Sequence, residues 1–209
     1  MKKGNKIVKI VLGIVFAIII TACIVIQVVI KEDRKRLEKE SQKYETLTTQ
    51  TKSGEQIETN YMHIEENEFY VKIPTTFKQL DYETINKKYN GDVPNVVFSN
   101  DETTINIAIS ITENEMKNYQ IESYKEYMEK MLKSNSEIIS SNYYKEGNHN
   151  IGQIKLMSNA VDTKIYNNMI FFSYNDKLVI IAFNCTEELK EEWQNVGDFI
   201  IDSLFFKNN

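Results

Sequence analysis

The sequence predicts an α+β protein: an α/β/α sandwich around a central antiparallel sheet, preceded by a single N-terminal transmembrane helix. Three observations carry that expectation. An uncharged apolar run lies near the start of the chain, four strand patterns joined by tight turns follow one another in its second half, and two stretches of helical period each have one apolar face. A sheet with helices laid on it buries each of these stripes.

Residues 10–30 read IVLGIVFAIIITACIVIQVVI and hold no charged side chain. About 20 such residues cross the hydrocarbon layer of a bilayer. Within the run, Ile20-Thr21-Ala22-Cys23 has the form of a bacterial lipoprotein cleavage site, with Cys23 as the residue to be acylated. A cleavable signal has an apolar region of about 7–15 residues, whereas here apolar character continues through Ile30. The run therefore predicts an uncleaved signal anchor; lipidation at Cys23 is the alternative. Lys2, Lys3, Lys6 and Lys9 precede it without an acid, while Lys31, Arg34, Lys35 and Arg36 follow it interleaved with Glu32 and Asp33. A strict Lys/Arg count does not favour the N-terminus. The undiluted positive start and the length of the following domain do suit a cytoplasmic segment 1–9 and a domain outside the cytoplasmic membrane.

Residues 31–47, KEDRKRLEKESQKYETL, continue the helical pattern with attractive i,i+4 pairs at Glu32/Arg36 and Arg34/Glu38. Residues 48–60, TTQTKSGEQIETN, are polar and read as a flexible joint. The expectation is thus a charged helical stalk and linker over 31–60 and a folded domain over 61–209, monomeric if the stalk does not pair.

In that domain EFYVKIP (68–74) alternates and stops at Pro74, and FKQLDYETINKKYN (77–90) forms one or two helical turns before the turn residues Asn90-Gly91-Asp92. VVFSN (96–100) and TTINIAISIT (103–112) read as strands, with Ile105, Ile107, Ile109 and Ile111 on one face. In residues 119–133, Ile121, Tyr124, Met128, Met131 and Leu132 form a helical stripe, read as core. Strands follow at 137–145, 150–160, 164–174 and 177–185, turning at Gly147-Asn148 and Asn175-Asp176. A closing helix carries Leu189, Trp193, Val196, Ile200 and Leu204 on one face, with Glu187 and Glu188 in its first turn.

Residues 49–209 hold 15 Lys, no Arg and 25 Asp plus Glu, a formal charge of −10. An acidic, arginine-free domain excludes a nucleic-acid partner, which needs clustered positive charge. The two cysteines, Cys23 and Cys185, encode no disulfide frame, and Cys185 reads as a small buried apolar residue. His63, ahead of Glu65, Glu66 and Glu68, and His149 in a turn lack metal-ligand spacing and read as exposed loop residues. No GxSxG elbow, Gly-rich phosphate loop or EF-hand loop occurs. No catalytic residue, metal site or cofactor is expected. Glu187, Glu188, Glu191 and Glu192 form a solvated face and the candidate contact for a basic protein partner.

The stretches "FYVKIPTTFKQL", "NVVFSNDETTINIAIS", "IYNNMIFFSYNDKLVIIAFNC" and "IIDSLFF" resemble the PsbP/DcrB-like superfamily over about residues 62–206. The likeness is in the order of elements and their apolar pattern. It implies an α/β/α sandwich and an accessory or binding role, because members act in photosystem assemblies, at bacterial envelopes or on a small GTPase without a shared active site. It supplies no site residues. The expected function is a membrane-anchored extracytoplasmic binding or accessory domain that is not an enzyme. The alternatives are a structural subunit of an envelope machine of secretion or conjugation type with an NTF2-like ectodomain, and an envelope hydrolase. In the NTF2-like fold the long helices come early; here the longest helix of the domain comes last.

Overall fold

The structure, a computed structural model, describes residue 31 and residues 46–64, 69–89 and 93–207. The expected span 10–30, Cys23, the stalk residues 32–45, Glu65, Glu66 and Glu68, and the Asn90-Gly91-Asp92 turn lie outside the described residues. The chain divides into Met1–Lys43 and Tyr44–Asn209. Of the first unit only Lys31, helical and exposed, is described.

In the second unit the elements run β1 (Leu47–Gln50), β2 (Gln56–Ile64), β3 (Phe69–Pro74), β4 (Lys78–Gln79), α1 (Tyr82–Lys88), β5 (Val96–Ser99) and β6 (Ile105–Glu115). After a 3-10 turn (Asn118–Gln120) come α2 (Ile121–Leu132), β7 (Ser136–Glu146), β8 (His149–Asn159), β9 (Lys164–Tyr174), β10 (Lys177–Thr186), α3 (Glu187–Asp202) and β11 (Phe205–Phe206). Two antiparallel sheets result: seven strands in the order β4-β5-β6-β10-β9-β8-β7, and four in the order β1-β2-β3-β11.

Turn chemistry fixes the large sheet. Asn175 and Asp176 both have positive φ (49° and 61°), the backbone of a two-residue hairpin turn, and Gly147 (φ 57°) starts the β7–β8 turn. Alternation then sends side chains to opposite faces. Ile107, Ile109, Phe172, Val179, Ile181 and Phe183 face α3 and the small sheet. On the other face Ile154, Leu156, Phe171 and Leu178 pack on Ile121 of α2, and Val97 and Ala108 pack on Ile85 of α1. The expected sandwich therefore holds in its coarse form, with helices on both faces of an antiparallel sheet. The layer that carries α3 also contains the second sheet.

Three local expectations are corrected. Residues 47–50 and 56–60, read as stalk end and flexible joint, are strands. The inward side chains of Ile57 and Thr59 are buried, as is Thr51 just after β1, and the Thr59 hydroxyl donates to the Leu47 carbonyl at 2.8 Å. The closing helix ends at Asp202, because the Ser203 hydroxyl turns back to the Ile200 carbonyl (2.6 Å) and accepts from the Lys72 amide (2.8 Å). Phe205 and Phe206 then pair with Tyr70 and Phe69 as β11. Met131, read as core, is 52% exposed, whereas Ile121, Tyr124, Met128 and Leu132 pack as expected.

Helix α3 lies unusually close to the sheet. A Cβ built on Gly197 would sit 2.4 Å from the Phe183 ring, so only glycine fits there. One residue on, the Asp198 carboxylate accepts from Lys155 Nζ (2.7 Å) and from Asn168 Nδ2 (2.8 Å). Asn168 is fully buried and accepts in turn from Gln153 Nε2 at 3.0 Å. The buried Lys72 places its Nζ 4.2 Å from the centre of the Tyr61 ring. Gly197→Ala should destabilise the protein by about 1–3 kcal/mol, the range for forcing a methyl into a filled core, while Met131→Ala stays within about 0.5 kcal/mol. Urea unfolding of the two variants checks both values.

Candidate functional site

The glutamates of α3 divide by role. Glu191 pairs with Lys52 at 2.7 Å. Glu192 accepts from the Ser53 amide (2.9 Å) and from the Ser53 hydroxyl, and its own carbonyl accepts from the Lys52 amide at 3.1 Å. These two residues fasten the β1–β2 turn to the helix, and Lys52 and Ser53 hold both carboxyls below the usual range. Glu187 lies 3.9 Å from Lys164, Glu188 accepts from Thr186 at 3.3 Å, and both are exposed. The four do not form one free acidic face.

Beside them the fold assembles a groove of about 590 Å³. One wall is the outward face of the β1–β2 hairpin (Thr48, Gln56, Glu58) with Glu55 ahead of it. A second is the β3–β4 connection, Thr75–Phe77, and a third is the β5–β6 turn with Asn100 and Glu102. Trp193 of α3 closes it, partly buried, with its ring 6.0 Å from that of Phe77 and inclined by 34°. Trp193 was expected in the core stripe; its position at the helix margin gives it one packed face and one face toward the groove.

Three carboxylates, Glu55, Glu58 and Glu102, border this aromatic pair, and all three are exposed. Asn100 Nδ2 donates to Glu102 at 2.9 Å. Among the described residues none of the three pairs with a cation; the nearby Lys78 is taken by Asp101 at 2.7 Å. The groove thus combines uncompensated negative charge with an aromatic wall. Sequence reasoning missed it because its parts come from four segments that only the fold brings together.

The remaining candidates are placed as follows. His63, expected in a loop, lies in β2 opposite Tyr70; it is exposed, with its ring 4.6 Å from that of Tyr70. His149, expected in an exposed loop, is half-buried at the start of β8: its ring stacks on Phe206 at 3.7 Å, and Nδ1 lies 3.3 Å from the Ser173 carbonyl. Cys185 is buried in the core, and burial pushes its thiol up to about 12, which suits an inert apolar role. Among the described residues no group of three or more His, Cys, Asp or Glu side chains is arranged to hold a metal ion.

No protein-family model and no curated protein matches the chain. Among solved structures it is similar to the cyanobacterial PsbP (CyanoP) of Synechocystis sp. PCC 6803, at 11% identity and a TM-score of 0.49 over 71% of this chain and 92% of that one. It is also similar to a protein from Bacteroides thetaiotaomicron, at 10% identity and a TM-score of 0.43 over 71% of this chain and 48% of that one. A third is the type VI secretion immunity protein TplEi of Pseudomonas aeruginosa, at 10% identity and a TM-score of 0.37 over 86% and 84%. At these values no residue or role is carried across.

His149 gives the stability of the fold a pH dependence. Burial lowers its pKa below the ordinary value, against a smaller opposite pull from the Ser173 carbonyl. The unfolded chain then binds a proton more readily than the folded one below about pH 6.5. Stability should be full above that pH and should fall as the pH drops through it. Chemical unfolding between neutral pH and pH 5 measures the slope, and His149→Gln should flatten it.

Proposed function

We propose that this protein is a membrane-anchored binding or accessory domain held outside the cytoplasmic membrane, which engages a basic segment of a protein partner by contact and carries out no reaction. The groove at Trp193 is the observation that supports this reading most. A lysine or arginine side chain in it meets carboxylates from Glu55, Glu58 and Glu102 and the ring faces of Trp193 and Phe77. Such a pairing is electrostatic in approach and specific in register. The charge of −10 over residues 49–209 adds a field that favours cationic partners at a distance. The uncharged run 10–30, with lysines before it, supports the anchor and its orientation.

Trp193 is the chain's single tryptophan, so its fluorescence reads the groove directly. Titrating the purified chain with tetralysine should give a saturable change in emission that weakens as salt rises from about 0.05 to 0.5 M. Changing Glu55, Glu58 and Glu102 together to Gln should weaken it about tenfold or more, while Glu187→Gln with Glu188→Gln leaves it nearly unchanged. Emission that does not respond, or responds equally in the triple variant, contradicts the reading. Intact mass of the membrane-extracted chain tests the anchor: full length is expected, and loss of residues 1–22 with a gain of diacylglycerol would instead identify Cys23 as lipidated.

A further inference from the structure

The opposite face of the large sheet carries a second feature. Under α1 and α2 this face is apolar, but one row across four strands is not. Ser99 pairs with Asn106, Asn106 with Asn184, and Asn184 with Asn167. Directly paired residues of antiparallel strands share a face, and Asn106 and Asn184 lie two residues from Ala108 and Ala182 on it. Asparagine is disfavoured inside strands, and apolar residues here would have extended the core beneath the helices. Breaks of a local rule concentrate at functional positions.

Hydrogen bonds fix how the row is oriented. Ser99 Oγ donates to Asn106 Oδ1 at 2.8 Å, and Asn106 Nδ2 donates to Asn184 Oδ1 at 3.0 Å and lies 3.4 Å from the Thr103 carbonyl. A carbonyl only accepts, so the Asn106 amide has one orientation, and Asn184 must then turn its Nδ2 donor away from Asn106. Asn167 Nδ2 donates to the Ile165 carbonyl and to Ser158 Oγ, both at 3.0 Å, which leaves its Oδ1 as an acceptor. Neighbouring strands thus present a donor at Asn184 beside an acceptor at Asn167. The Tyr89 hydroxyl is shielded from solvent and makes no hydrogen bond of normal geometry. Burial raises its pKa, and a side-chain hydrogen bond from Asn184, which takes one of the two N–H groups of its Nδ2, opposes that rise.

Above this row lies a groove of about 600 Å³. Its basic residue, Lys88, donates to the Thr103 carbonyl and keeps its charge in the groove. Thr104, Thr163 and Thr186 add hydroxyls, and Val161 stands on the rim with 99% of its surface exposed. We propose that this groove binds a neutral glycan segment. Sugar hydroxyls both donate and accept, so two on one ring satisfy Asn184 and Asn167 together, while the ring's C–H face covers Val161. With Lys88 on one side and Glu102 and Asp162 on the other, the groove presents no single sign of charge and favours neither an anion nor a cation. This site goes beyond the contact reading and shares only Glu102 with the groove at Trp193.

The test is ligand-detected saturation-transfer NMR with isothermal titration on the full chain, held in a sugar-free zwitterionic detergent. The probes are cellotetraose, maltotetraose and the tetramer of N-acetylglucosamine, with tetralysine as the charged control. Saturable binding of at least one neutral tetrasaccharide is expected. It should fall about tenfold or more in Val161→Asp, a position too exposed to affect folding, and in Asn184→Leu, provided its urea midpoint holds. Binding of tetralysine should survive both changes, which separates this site from the other groove. No saturable sugar binding up to about 10 mM, or binding that persists in Val161→Asp, overturns the proposal.

Discussion

The contact between Gly197 and the Phe183 ring is the constraint on which the rest of the domain depends. It brings α3 onto the centre of the large sheet closely enough for Asp198 to reach Lys155 and the buried Asn168. With the helix axis fixed there, its outer edge delivers Glu191 and Glu192 to the β1–β2 turn, and its end delivers Ser203 to the Lys72 amide. The small sheet is therefore held by α3 at two points and closed by β11, the strand that follows the helix. A side chain at residue 197 would lift the helix and loosen all of these contacts together.

The same placement builds the groove. Trp193 is one helical turn before Gly197, so the depth at which α3 sits sets how far the indole reaches toward Phe77. Glu55 and Glu58 arrive with the hairpin that Glu191 and Glu192 hold. Two acidic residues thus do structural work so that others, borne on strands and turns, stay free of cations. In an acidic domain that division separates the carboxylates available to a partner from those that are not.

The strands of the second half were legible in the sequence because local and global signals agree there. Alternation, β-branched residues and the Asn175-Asp176 turn all give the same register. The first hairpin was not legible: β1 has no buried residue, the inward face of β2 alternates Ile57 with Thr59, and Thr51 in the turn is buried, so the segment reads as a polar linker. β11 was hidden for the opposite reason, since two phenylalanines after an amphipathic helix continue its stripe, and only the Ser203 turn and pairing with β3 make them strand. The acidic grouping was legible as a property of the chain but not of a place. The asparagine row was visible only as single interruptions of three strands, because register alone brings Asn106, Asn184 and Asn167 side by side.

Native-state hydrogen exchange tests most directly whether α3 holds the two sheets as one unit. If it does, the protected amides of β2 open only with those of β10 and α3, and the three share one free energy of exchange. If β2 exchanges through a separate, lower-energy opening while α3 and β10 stay protected, the small sheet does not depend on the helix, and the groove at Trp193 has no fixed wall.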